Sequence, residues 1–325
     1  MTQQRPPAGS STPAAAQLPP ALSAPLAQLH TRSAGRIAYY ADTTADGRPL
    51  LLVHSINAAP SSFEVRPLFE HFRGERPVYS IELPGFGQSE RSDRVYSPAL
   101  YADAIGAVLA QVIGRPADVL ALSLSAEFAA RAALAAPEAV ASLVLISPTG
   151  FSARAMPGPN TGRVAYRALS LPLWRQRLFD LVASKPSIRY YLSKSFIDAA
   201  PQALVDYAYS AAHQPGARYA PLYFLSTQLF TRDALSALYA KLTQMPVLAI
   251  ADRDPYVTFE QLPEFAAARP NWRHETLAPH KGLPHWEHPQ ATCRLLEAFW
   301  RGDQSPDGGD QPPPERRPSS SAAPR

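Results

Sequence analysis

A chain of 325 residues with a single cysteine cannot carry a disulfide framework, so its stability must come from a hydrophobic core. Lys and Arg number 31 against 27 Asp and Glu, a formal charge of +4, but the basic residues are scattered and form no face suited to a nucleic acid. No apolar stretch approaches the ~20 residues of a membrane-spanning helix, and the N-terminus lacks the compact apolar core of a secretory signal. The expectation is a cytoplasmic protein with no membrane span; composition does not address its oligomeric state.

In chain order, residues 1–26 come first. This segment and 302–325 hold twelve of the 35 prolines, with Ala, Ser, Gln and Gly filling the rest. Such stretches bury too little apolar surface to offset the entropy of ordering. Both read as disordered tails whose removal should cost little stability. Short apolar runs then alternate with amphipathic helical stretches. Strands are predicted near 35–42, 49–55, 76–82, 117–122, 142–147, 246–251 and 273–278. Helices are predicted near 62–72, 97–113, 124–136, 258–268 and 288–301; Ser97-Pro98 supplies a cap and a first-turn proline for the second of them. This alternation describes an α/β protein with a mostly parallel, doubly wound sheet.

The alternation stops between 152 and 244. That segment has no strand pattern and reads as short helices separated by Pro and Gly, rich in Tyr, Phe and Trp. The division that follows is a first core part, 27–151, an inserted helical segment, 152–244, and a second core part, 245–301.

The most informative stretch is Ala117–Ala126. An apolar strand ends at Ser123, which has small residues, Ala121 and Ser125, two positions away on each side, and an alanine-rich helix follows at once. A strained strand–turn–helix elbow that exposes a nucleophilic serine needs small residues at those positions. A serine that simply caps the following helix would leave the same trace. The lone cysteine, Cys293, sits in a helical pattern as a small core residue.

Around the elbow, other loops close strand-like runs in a fixed order. They are His54-Ser55-Ile56-Asn57, Glu82-Leu83-Pro84-Gly85-Phe86-Gly87, Asp252-Arg253-Asp254-Pro255-Tyr256-Val257 and Gly282-Leu283-Pro284-His285-Trp286-Glu287. In this order and spacing the chain, over roughly 35–300, resembles the α/β-hydrolase superfamily, in its serine-nucleophile branch with a helical cap. The resemblance implies Ser123 as nucleophile and Asp254, ahead of its neighbour Asp252, as the acid. It implies the backbone N–H groups of Ile56 and Leu124 as oxyanion donors. The superfamily's usual catalytic histidine position is taken by Gly282. His285, three residues on, is the expected base; His280, or no functional base, are the alternatives.

A serine hydroxyl is a weak nucleophile without a base and an oxyanion hole, and this constellation would supply them to an ester or thioester of an apolar small molecule, cleaved through an acyl-enzyme. Carbon–carbon bond hydrolysis, or binding of an apolar small molecule without catalysis, are the other readings. No metal or organic cofactor is implied.

Overall fold

The structure is a computed structural model that describes residues 17–154, 159–171 and 175–302. Eight strands form one sheet: β1 (Leu26–Thr31), β2 (Gly35–Asp42), β3 (Leu50–Val53), β4 (Val78–Ile81), β5 (Ala117–Leu122), β6 (Val140–Ile146), β7 (Val247–Ile250) and β8 (Trp272–Glu275). Their spatial order is β1-β2-β4-β3-β5-β6-β7-β8. β1 and β2 run antiparallel to their neighbours and the other six strands are parallel. The α/β class with a mostly parallel, doubly wound sheet is therefore the observed one.

The central strands are apolar on both faces because both are covered. Leu51, Val53, Val119 and Ala121 point into one core layer with Phe128 and Leu262. Leu50, Leu52, Leu120 and Leu122 point into the other with Phe69 and Leu296. The covering helices are α1 (Arg66–Phe72), α2 (Pro98–Val108), α3 (Ser125–Ala135), α10 (Leu262–Ala267) and α12 (Pro289–Arg301). Ser97 caps α2 as expected, its hydroxyl accepting the Leu100 N–H at 3.2 Å. Cys293 is buried in the second core layer, where burial pushes its thiol up to about 12.

Between β6 and β7 the described chain is helical: α4 (Pro159–Leu169), α5 (Arg175–Val182), α6 (Lys185–Lys194), α7 (Gln202–Ala212), α8 (Tyr219–Leu225) and a single turn, α9 (Ala234–Ala237). These helices have a small core of their own, with Phe179, Ile188 and Val205 buried together, and Ala59 of the β3–α1 loop packs into it. Tyr207 of α7 stacks on Phe63 at 4.7 Å between ring centroids, tying the inserted segment to the main body.

From residue 17 onward the N-terminal segment is packed, in contrast to the free tail expected over 1–26. Leu26–Thr31 is an edge strand, and residues 17–25 are packed rather than free. Leu18, Ala21 and Leu22 are buried, Ala21 N–H donates to the Tyr40 hydroxyl, and the Pro19 carbonyl accepts the Tyr207 hydroxyl at 2.8 Å. The expectation of a dispensable 1–26 is therefore corrected: two leucines and several backbone groups dock the segment. Residues 1–16 and 303–325 lie outside the described residues. Deleting residues 1–25 removes the two buried leucine side chains, whose burial contributes about 1.5–3 kcal/mol each. A thermal melt should show a midpoint lower by on the order of 10 °C than that of a chain beginning at residue 17. Equal midpoints would mean that the docking contributes nothing.

Candidate active site

At the C-terminal end of β5 the chain turns sharply into α3, and Ser123 occupies the turn in the left-handed region, at φ 52°. A non-glycine residue held there is strained, and such strain collects at functional sites. The Ser123 N–H donates to the Ile146 carbonyl at 2.8 Å, and the Ser123 carbonyl accepts the Ala126 N–H, so the turn is fixed from both sides. Ser123 is half-buried, and no described residue hydrogen-bonds its hydroxyl.

Ser125, the small residue two positions after Ser123, has a structural use. The Ser125 hydroxyl donates to the His54 carbonyl at 2.6 Å, which ties the elbow to the loop after β3. His54 pins the same loop on its other side. Its Nδ1–H donates to the Ser55 carbonyl at 2.7 Å and its Nε2 accepts the Leu83 N–H at 3.0 Å. Complete burial pushes its pKa down to about 4, so the ring is neutral. Among the described residues neither the Ile56 N–H nor the Leu124 N–H has an acceptor. An oxyanion hole needs backbone donors free of other acceptors, and these two N–H groups, one on the loop after β3 and one on the elbow, meet that condition.

Asp254 lies in the loop after β7. Its Oδ1 accepts the N–H groups of Tyr256 and Val257 at 2.8 and 3.0 Å. Burial raises its pKa to about 6, against the lowering effect of those two hydrogen bonds. The other oxygen, Oδ2, faces Gly282: a Cβ built on that glycine would lie 2.7 Å from it, and 3.3 Å from Cβ of Ser195 on the inserted segment. The Gly282 carbonyl accepts the Ser147 hydroxyl at 3.1 Å, and Ser147 follows Ile146, whose carbonyl holds the elbow. Ser147 is itself left-handed at φ 48°. Ser123, Gly282 and Asp254 are thus linked around adjacent strand ends, β5 to β8. Asp252 stays a loop-forming residue whose carboxylate accepts the His280 N–H at 3.1 Å.

His285 is not brought to Ser123 or Asp254. The one-turn helix α11 (Pro284–Glu287) turns its imidazole into the protein, where it is fully buried. Its Nε2–H donates to the Glu64 carbonyl at 2.8 Å, and the Trp286 indole N–H donates to the same oxygen at 2.6 Å. Nδ1 is buried with no partner, and desolvation lowers the pKa to about 4. His280, the alternative, is also buried; its Nδ1–H donates to the Lys281 carbonyl at 2.5 Å and its Nε2 has no partner. Neither ring hydrogen-bonds the serine or the acid.

Sequence reasoning overlooked Glu64, in the 3-10 turn at Ser62–Val65. Its carboxylate is buried 3 % exposed; Oε2 accepts the Ser55 N–H at 2.9 Å and Oε1 accepts the Asn57 side-chain amide at 2.7 Å. Burial pushes its pKa upward. Only its placement between a phenylalanine and a valine, a charge in an apolar run, could have drawn attention to it. Among the described residues one trio, His71, Glu75 and Glu297, could bring metal-ligating atoms within 4.8 Å of one another, at the surface of α1 and α12.

Residues 50–295 match the model of the alpha/beta hydrolase family, and the chain belongs to that family. No curated protein sequence matches it. Several solved structures share the fold. Cfl2 from Burkholderia cenocepacia is 20% identical with a TM-score of 0.65, over 85% of this chain and 96% of that one. A thermophilic esterase from Thermogutta terrifontis is 17% identical with a TM-score of 0.66, over 86% and 99%. The haloalkane dehalogenase DbeA from Bradyrhizobium elkani is 19% identical with a TM-score of 0.65, over 86% and 98%. At these identities the likeness concerns the fold. No helix among the described residues is long and apolar enough to cross a membrane.

Proposed function

We propose that the protein is a serine hydrolase that forms an acyl-enzyme on Ser123 from an ester or thioester of an apolar small molecule. The observation that carries this reading is the elbow: a serine held at φ 52° with an unengaged hydroxyl, tied by Ser125 to a loop bearing a second unengaged N–H. In this reading Ile56 and Leu124 N–H stabilise the tetrahedral oxyanion, and Asp254 is the carboxylate of the site. The histidine-bearing part of the constellation is revised: His285 sits on the Glu64 carbonyl, and Gly282 stands where an imidazole would face Asp254. Loss of one triad member leaves the oxyanion hole and binding as the source of acceleration, so turnover on simple esters should be slow. The aromatic-rich helical segment between β6 and β7, which approaches Gly282 through Ser195, favours an apolar acyl group.

The second reading, a binding protein for an apolar ligand without turnover, is favoured by the same Gly282. A fluorophosphonate probe separates the two. Covalent labelling that vanishes in Ser123→Ala supports the acyl-enzyme; a folded protein that stays unlabelled over hours at high probe concentration supports the binder.

A further inference from the structure

We propose that Glu64 is the positioning residue of the oxyanion hole, holding the Ser55–Asn57 loop so that the Ile56 N–H faces Ser123, and that His285 and Trp286 hold Glu64. The inference rests on the acyl-enzyme reading above. It starts from the hydrogen bonds around one buried carboxylate. Glu64 Oε2 takes the N–H of Ser55, and Oε1 takes the side-chain amide of Asn57, so the residues on both sides of Ile56 end on a single carboxylate. Asn57 uses its other amide atom, Oδ1, to accept the Ala59 N–H at 2.8 Å, and its amide also donates to the Ser55 hydroxyl at 3.0 Å. The loop is thereby cross-linked to Glu64 and to itself.

The Ile56 N–H, between these two anchored residues, has no acceptor among the described residues, and the Ile56 side chain is buried in the core beneath. A backbone donor acts in an oxyanion hole only where its direction is fixed before the charge appears. A flexible loop would spend part of the stabilisation on ordering itself.

Glu64 is itself anchored from a distant part of the chain. Its backbone carbonyl takes two donors, the imidazole of His285 and the indole of Trp286, both on α11. The turn carrying Glu64 is further fixed by the Ser61 carbonyl, which accepts the Glu64 N–H at 3.0 Å. The path therefore runs from α11 through the Glu64 backbone, along its side chain, to Ser55 and Asn57. It assigns His285 a role that needs no contact with Ser123. It also accounts for a neutral, buried imidazole in the segment where a catalytic histidine is expected.

The test compares full-length wild type with Glu64→Ala, Glu64→Gln and Asn57→Ala, reading fluorophosphonate labelling of Ser123 and hydrolysis of a medium-chain p-nitrophenyl ester. Glu64→Ala should lower kcat and the labelling rate roughly 10²-fold with KM nearly unchanged, the scale of losing one oxyanion donor. Asn57→Ala, which removes one of the carboxylate's two loop partners, should lower both several-fold. Glu64→Gln keeps one acceptor and should fall between the two. Hydrogen exchange of the peptide spanning 54–57 should accelerate in Glu64→Ala. Faster exchange with unchanged kcat would overturn the catalytic consequence, and unchanged exchange would overturn the positioning itself. Should Glu64→Ala fail to fold, an Asn57→Ala variant with wild-type kcat and labelling rate overturns the proposal. Absence of Ser123-dependent labelling in the wild type is a different outcome: it removes the acyl-enzyme reading and this inference with it, whatever the exchange data show.

Discussion

Gly282→His is expected to raise ester hydrolysis by roughly 10²-fold or more, the scale of a well-placed general base. Three features make the substitution feasible. The Gly282 backbone is not in the left-handed region, so its conformation does not require glycine. The nearest obstacle to a Cβ is Asp254 Oδ2 at 2.7 Å, the far end of a side chain whose other oxygen is anchored by two N–H groups. A small rotation about that anchor turns a clash into the carboxylate–imidazole contact that fixes a catalytic tautomer. Ser195, at 3.3 Å, must yield by a few tenths of an ångström; pairing the change with Ser195→Gly would remove that obstacle. The installed imidazole should give a rate that falls as pH drops below about 6.5, because a protonated ring cannot accept the serine proton. Addition of free imidazole to the wild type should give a smaller gain that disappears in Ser123→Ala. A folded Gly282→His that hydrolyses esters no faster than wild type would mean that Ser123, position 282 and Asp254 do not form one reaction centre.

Much of this was legible in the sequence because it depends on local patterns. A continuous apolar run bounded by turn residues specifies a buried parallel strand, and β3 to β7 follow it within a few residues. The elbow is legible for the same reason, since its strain is accommodated by small residues within two positions of Ser123. β1 was missed because an edge strand need not be apolar: LAQLHT alternates exposed and half-buried residues, and it follows a proline-rich stretch that conceals it. The docking of Leu18 and Leu22 depends on Tyr40 and Tyr207, which are distant in the chain.

The histidine was a different kind of failure. Gly-Leu-Pro-His places an imidazole near the right strand end, but whether it points to the cleft or the core depends on the single turn at Pro284. That turn is set by what it packs against. Glu64, 221 residues away, accepts from both His285 and Trp286, and no local pattern announces such a partner. Conversely, the absence of an imidazole facing Asp254 was legible directly, as Gly282.

The buried state of His285 has a measurable cost at low pH. Protonation would not break its bond to the Glu64 carbonyl, since Nε2 already carries the donated hydrogen. It would place a charge at Nδ1, which has neither a partner nor solvent. The folded pKa of about 4 therefore lies below the unfolded value of 6.5. Between those values the unfolded chain binds more protons than the folded one, so stability is fully present above about 6.5 and is lost as pH falls towards 4. From pH 7 to pH 5 this one group should cost about 2 kcal/mol. His54, buried and lowered to about 4 as well, acts in the same direction. Glu82, raised to about 7 by burial, and Glu64, also raised, act in the opposite one. The total pH dependence is thus a sum of opposed contributions, and the comparison that isolates His285 is wild type against His285→Gln. Urea denaturation at pH 7 should show the variant less stable, through lost packing and a poorer bond to Glu64. At pH 5 the difference should shrink by about 2 kcal/mol, because glutamine has no proton to take up. A gap that stays constant between the two pH values would place the imidazole in contact with solvent, and its hold on Glu64 would then be too loose to aim the loop.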